Sequence, residues 1–164
     1  MIKLFGSLMI IGSGIGVGFL LSSKNKTHLK TVESIEKMFI QTSLMLKYNA
    51  VTFNELIGYL QESSQTNSLN FLKCDNSSLN IPHEIVCNIR KNKDALTQDE
   101  LNALLDFFSQ FGQTDIDGQV LLSKRYESFF NDRVNYLREE SKQKCKLYNS
   151  LGFLGGAFLA VLLI

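Results

Sequence analysis

The sequence predicts an all-α protein built as a membrane hairpin, in which two transmembrane helices bracket a cytosolic antiparallel helical bundle. Three observations predict it. Leu4–Leu21 and Leu147–Ile164 each run 18 residues without Lys, Arg, Asp, Glu or His, about 27 Å of helix against a hydrocarbon core of ~30 Å. All 16 acidic residues, and every basic residue except Lys3, lie between these stretches. The apolar residues of the middle recur at helical spacings, and no strand-like alternation competes with them. The boundaries drawn from this pattern are 1–23 for the first span, 24–146 for the bundle and 147–164 for the second span.

The first span is followed by Lys24, Lys26 and Lys30, and the second is preceded by Lys142, Lys144 and Lys146. Lysines collect on the cytoplasmic side of a membrane helix, so the central segment faces the cytoplasm. Lys24, Lys26, Lys142, Lys144 and Lys146 are expected to anchor the spans at lipid headgroups. A cleaved secretory signal is the competing reading of the first span, but Leu20 or Leu21 occupies the position that wants a small residue. Gly12 and Gly16, Gly14 and Gly18, and Gly152 and Gly156 form G-x-x-x-G pairs. Glycine lets helix backbones approach closely in lipid, where no hydrophobic drive brings them together. Gly12, Gly16, Gly152 and Gly156 are therefore the expected packing positions, either between the spans or between neighbouring copies.

Between the spans, a first helix is expected from about Thr27 to Tyr48, with Val32, Ile35, Met38, Phe39 and Leu46 on its apolar side. Thr52-Phe-Asn-Glu55 is a capping box opening a helix that carries Phe53, Leu56, Ile57 and Leu60 and dissolves into Ser63–Ser68. A polar loop covers Cys74–Asn80. Pro82, the only proline, suits the first turn of the next helix, where its missing amide is not needed. That helix carries Ile85, Val86 and Ile89 and ends near Asn92. Thr97-Gln-Asp-Glu100 is a second capping box, leading into Leu101, Leu104, Leu105, Phe108 and Phe111, with Gly112 as the stop. From Gln119 to Gly152 there is no proline and no internal glycine, so the last helix is expected to run unbroken into the second span, roughly 69 Å to Ile164. Val120, Tyr126, Phe130, Val134 and Leu137 mark its apolar face.

The chemistry the residues exclude is as informative. The 16 basic and 16 acidic residues of the middle cancel, which leaves no electrostatic case for nucleic acid. Cys74, Cys87 and Cys145 are odd in number and expected in a reducing compartment, hence as thiols. His83 and Cys87 stand one helical turn apart but lack further ligands, so no metal and no cofactor is expected. Asp115-Ile-Asp117-Gly118 resembles a calcium loop only superficially: with Gly118 sixth, Gln113 and Lys124 fall where carboxylates are required. A turn before a helix explains it. Glu33 with Glu36, and Glu139 with Glu140, read as solvated helix faces rather than acid–base pairs. No nucleophile elbow, phosphate loop or zinc helix is present. A non-enzymatic scaffold is the first expectation. The alternative is a small glycine-rich pore-forming protein, for which the polar residues of the spans (Ser7, Ser13, Asn149 and Ser150) are few.

The stretch Lys146-Leu-Tyr148-Asn-Ser150-Leu151-Gly152-Phe153-Leu154-Gly-Gly156 resembles the end of the stage III sporulation protein AB family of endospore-forming bacteria. Lys3-Leu4-x-Gly6 through Gly18-Phe19 matches the same family in spacing, and the match continues to Tyr48 without a gap. The chain departs from the family at Ser43 and Met45, where an acidic residue is usual, and at Val51-Thr52-Phe53, where a proline is usual. The turn after Phe111-Gly112 is also shorter. The resemblance implies a cytoplasmic module like that of the platform protein of type II secretion and type IV pilus machines. It further implies a place in the mother-cell membrane around the forespore, within a secretion-like channel complex. The implied partners are a cytosolic secretion-type ATPase, stage III sporulation protein AA, and the other membrane components of that channel.

Overall fold

The computed structural model describes residues 2–49, 51–74, 81–91 and 95–163. Within these, the side chains of residues 2–25, 148–149, 151–153, 155–157 and 159–163 fall outside the description. Among the described residues every regular element is helical: α1 (Ile2–Asn49), α2 (Phe53–Glu62), a single 3₁₀ turn (Asn70–Leu72), α3 (Ile81–Lys91), α4 (Gln98–Gln110) and α5 (Ile116–Leu163). Two compact units result, one of Lys30–Val134 and one of Met1–Leu29 with Asn135–Ile164.

The helix starts follow from local chemistry. Thr52 and Thr97 each accept the backbone N–H three residues on at 3.4 Å, while Glu55 and Glu100 accept the threonine N–H at 2.8 Å. Both capping boxes are thus formed, satisfying amides that the first helical turn leaves without carbonyl partners. Asp115 opens α5 in the same way, its Oδ1 accepting the Gly118 N–H at 3.0 Å. The acidic turn is therefore a helix cap. Pro82 lies in the first turn of α3. Gly112 takes φ of 82°, a left-handed geometry that glycine adopts at little cost, and ends the segment after α4.

Three segments differ from expectation. α1 begins at Ile2 and continues to Asn49, with no separate start near Thr27; nothing between Phe19 and Asn49 is proline or glycine, so no residue interrupts the ladder. α5 starts at Ile116, three residues before Gln119, because Asp115 rather than Gly118 sets the cap. The segment after α2 is structured where dissolution was expected. Thr66 donates its hydroxyl to the Leu60 carbonyl, and the amides of Thr66 and Asn67 bond the Ser63 carbonyl at 3.1 and 3.0 Å. The 3₁₀ turn then buries Leu69, Phe71 and Leu72.

The Lys30–Val134 unit is organised around Phe39. Its ring lies 4.7 Å from that of Phe107 on α4, and 5.3 and 5.8 Å from those of Phe130 and Tyr126 on α5. Such ring pairs contribute about 0.5–1.5 kcal/mol each beyond area burial. Two cross-helix pairs fix the α1–α5 register: Asn131 Nδ2 donates to Glu36 Oε1 at 2.8 Å, and Ser43 Oγ donates to Glu127 Oε2 at 3.3 Å. Sequence position rises along α1 as it falls along α5, so the two are antiparallel. α4 and α5 are antiparallel by the same criterion, through Glu100–Arg133 and Asp106–Tyr126. Val32, Ile35, Met38, Phe39 and Leu46 are all buried, as their spacing predicts. α3 packs on α4 and on the 3₁₀ turn through Ile81, Ile85 and Ile89.

Among the described residues no helix is long and apolar enough to cross a membrane. The side chains of Leu4–Leu21, and most of those from Leu147 to Ile164, lie outside that set.

Candidate functional site

Two polar clusters tie α4 to α5. Glu100 is fully buried, and its two carboxylate oxygens do different work: Oε2 accepts the Thr97 N–H, and Oε1 accepts Arg133 Nε at 2.8 Å. One residue thus caps α4 and locks it onto α5. A turn and a half further along α4, the Tyr126 hydroxyl donates to Asp106 Oδ2. Burial, followed by the Asp106 bond, pushes the Tyr126 phenol up to about 12, while the bond from Tyr126 and then that from Gln110 hold Asp106 below the usual aspartate range. These groups stabilise helix packing. None of them lines the cavities described among these residues.

Lys26, Lys142 and Lys146 are exposed and Lys144 is half-buried. Lys142 and Lys144 pair along α5 with Glu139 and Glu140, at 3.1 and 2.8 Å. The two glutamates read as a solvated face are therefore lysine partners, and such exposed pairs contribute little to stability. Gly12, Gly16, Gly152, Gly156 and Lys24 lie outside the described side chains. His83 Nδ1 and Cys87 Sγ stand 3.8 Å apart on α3. Among the described residues no three His, Cys, Asp or Glu side chains are grouped to hold a metal. Cys74, Cys87 and Cys145 are not joined in disulfides.

Sequence reasoning found Glu100 as a capping residue and missed its pairing with Arg133. An acidic N3 position that must also be buried was the available signal, since α4 places Glu100 next to core Leu101 and Leu104. It also missed an exposed apolar row on α1, formed by Ile40, Leu44 and Tyr48 at four-residue intervals.

The described residues thus form an all-helical fold whose polar clusters hold α4 on α5. The family model described as "Stage III sporulation protein AB" matches residues 3–164. The chain belongs to that family. No curated protein and no solved structure gives a significant match.

Proposed function

We propose that the chain is a non-enzymatic membrane platform of the sporulation channel between mother cell and forespore, and that it docks a cytosolic secretion-type ATPase of the stage III sporulation protein AA kind. The observation that carries this reading is the family match, which extends through both terminal apolar stretches and the helical module between them. In this reading Leu4–Leu21 and Leu147–Ile164 cross the mother-cell membrane around the forespore, and the lysine clusters hold residues 24–146 on the mother-cell cytoplasmic side. Support comes from Leu147, Leu154 and Phe158, large apolar side chains exposed on α5. Facing lipid, they would contribute about 25 cal/mol for each Å² withdrawn from water. Further support is the helical module itself, whose buried Glu100 carboxylate serves the packing of α4 on α5.

The test is recovery of the detergent-solubilised complex from sporulating cells, using the full chain and a chain lacking residues 22–146. The full chain should bring down the ATPase and the shortened chain should not. Equal recovery of the ATPase by both would refute docking by the helical module. Labelling of Cys74 or Cys87 by an impermeant thiol reagent applied outside intact cells would refute the orientation.

A further inference from the structure

His83 and Cys87 stand one turn apart on α3, on the side opposite Ile81, Ile85 and Ile89, which are buried. His83 is exposed and Cys87 is half-buried. The Nδ1 atom of His83 lies 3.8 Å from the Sγ atom of Cys87. A tetrahedral zinc ion, about 2.3 Å from a thiolate sulfur and about 2.05 Å from an imidazole nitrogen, holds those two atoms about 3.6 Å apart. Helical spacing alone leaves the pair short of a metal site; the separation of the two atoms supplies one edge of a tetrahedron. Among the described residues no third His, Cys, Asp or Glu joins them. The remaining positions of such an ion would face outward, open to water.

We propose that His83 and Cys87 bind a divalent ion of the zinc class on the outer face of α3, as a two-residue site with open positions. Imidazole and thiolate select such an ion over magnesium or calcium, which take oxygen ligands. The helix fixes the separation of the two side chains in advance, so binding has little further ordering to oppose it. On binding, the Cys87 thiol releases its proton to solvent and its thiolate sulfur donates a lone pair to the metal. Neutral His83 donates the Nδ1 pair. One proton therefore leaves for each ion bound, and affinity weakens on acidification. The nearby charges on α3 are Glu84, three residues before Cys87, and Arg90 and Lys91, three and four residues after it. They sum to +1, which weakens the site but does not exclude an ion that has gained a thiolate. Structural zinc closes four protein ligands, whereas this site is exchangeable, and α3 keeps its packing through its buried isoleucines without it.

The test titrates cobalt(II), a spectroscopic stand-in for zinc, into the reduced full chain in detergent, prepared without a histidine tag. A sulfur-to-cobalt charge-transfer band should rise at micromolar metal, saturate at one ion per chain and disappear when zinc is added. Cys87→Ser should abolish the band, and His83→Ala should weaken binding at least about tenfold, since even residues that only orient a ligand are worth that much. Cys74→Ser and Cys145→Ser should leave both band and affinity unchanged. Arg90→Gln should keep the band and tighten binding about threefold, the effect of one unit charge roughly 7 Å away in water. An unchanged unfolding midpoint of each variant without metal shows that the fold survives. Zinc should raise the midpoint of the unsubstituted chain and not that of Cys87→Ser. Absence of the band, its survival in Cys87→Ser, full affinity in His83→Ala, or its loss in Cys74→Ser, Cys145→Ser or Arg90→Gln would overturn the proposal. Binding seen only at millimolar metal would mean an adventitious ion only, and would overturn it too.

Discussion

Arg133→Met should destabilise the helical module by about 3 kcal/mol, whereas Glu100→Gln should cost about 1 kcal/mol, although both remove the same ion pair. The asymmetry follows from where each partner sits. The Glu100 side chain is 0% exposed and that of Arg133 is 29% exposed. Removing the arginine strips a fully buried carboxylate of its cation, the situation in which a broken pair is most damaging, at roughly 3–5 kcal/mol; the partial exposure of Arg133 places the loss at the lower end. Replacing the glutamate leaves a neutral amide whose oxygen still accepts the Thr97 N–H, since glutamine serves at this position of a capping box. Its amide nitrogen takes the place of Oε1 and, as a donor, cannot accept from Arg133. The bond to α5 is lost at about 1 kcal/mol net, but no charge is left buried without its partner. Arg133 meanwhile regains water. The assay is urea unfolding of the full chain in detergent, followed by tyrosine fluorescence, because the protein contains no tryptophan and five tyrosines. Equal losses for the two variants, or a loss below about 0.5 kcal/mol for Arg133→Met, would refute the assignment of Glu100 as a buried charge that depends on Arg133.

Tyr126 should ionise as a separate late step near pH 12 in a titration followed at 295 nm, and Tyr126→Phe should abolish that step. The sign is fixed by linkage: a phenol pKa raised in the folded state contributes stability below its unfolded value of ~10, and that contribution is lost as pH climbs toward 12. Asp106, whose pKa is depressed, contributes above its unfolded value and loses that contribution as pH falls through the folded one, so Tyr126→Phe should also flatten the acid side of the stability profile. Gly112→Ala should lower stability by about 1 kcal/mol in the same unfolding assay, because φ of 82° strains any residue with a Cβ. Gly118→Ala should fail to give the ~1 kcal/mol gain that helix propensity promises, since the new methyl would stand 2.8 Å from both Asp115 Oδ1 and Thr114 Oγ1 and disturb the cap of α5. Gly152→Leu should reduce recovery of the assembled complex while leaving the unfolding midpoint of the helical module unchanged; normal recovery would remove the packing role.

The parts of the fold legible in advance are those governed by near neighbours. Thr52 with Glu55, and Thr97 with Glu100, announce their helices because both halves of each cap lie within four positions. The buried side of α1 is visible because Val32, Ile35, Phe39 and Leu46 keep helical spacing over four turns. What was not legible depends on distant chain. Thr66 looks like one more polar residue in a serine-rich run, and only its bond to the Leu60 carbonyl and the burial of Leu69, Phe71 and Leu72 turn that run into structure. Arg133 reads as one charge on a long polar helix until α4 lies against it. The exposed row on α1 was hidden for a related reason: Ile40 and Leu44 look like further core positions, and only the packing of α5 decides which apolar residues the core leaves outside.

The pairing of Glu36 with Asn131 spans 95 positions of chain. At translation rates of 5–20 residues per second, α1, which ends at Asn49, is complete roughly 4 to 16 s before the ribosome delivers the part of α5 that covers it. Throughout that interval Phe39 lacks the rings of Phe130 and Tyr126, and an oily flank of the newborn chain stays open to water and to other proteins. Safe birth of this molecule therefore calls for a holding factor, or for prompt completion of the C-terminal half, because its earliest long helix closes only when its last one arrives.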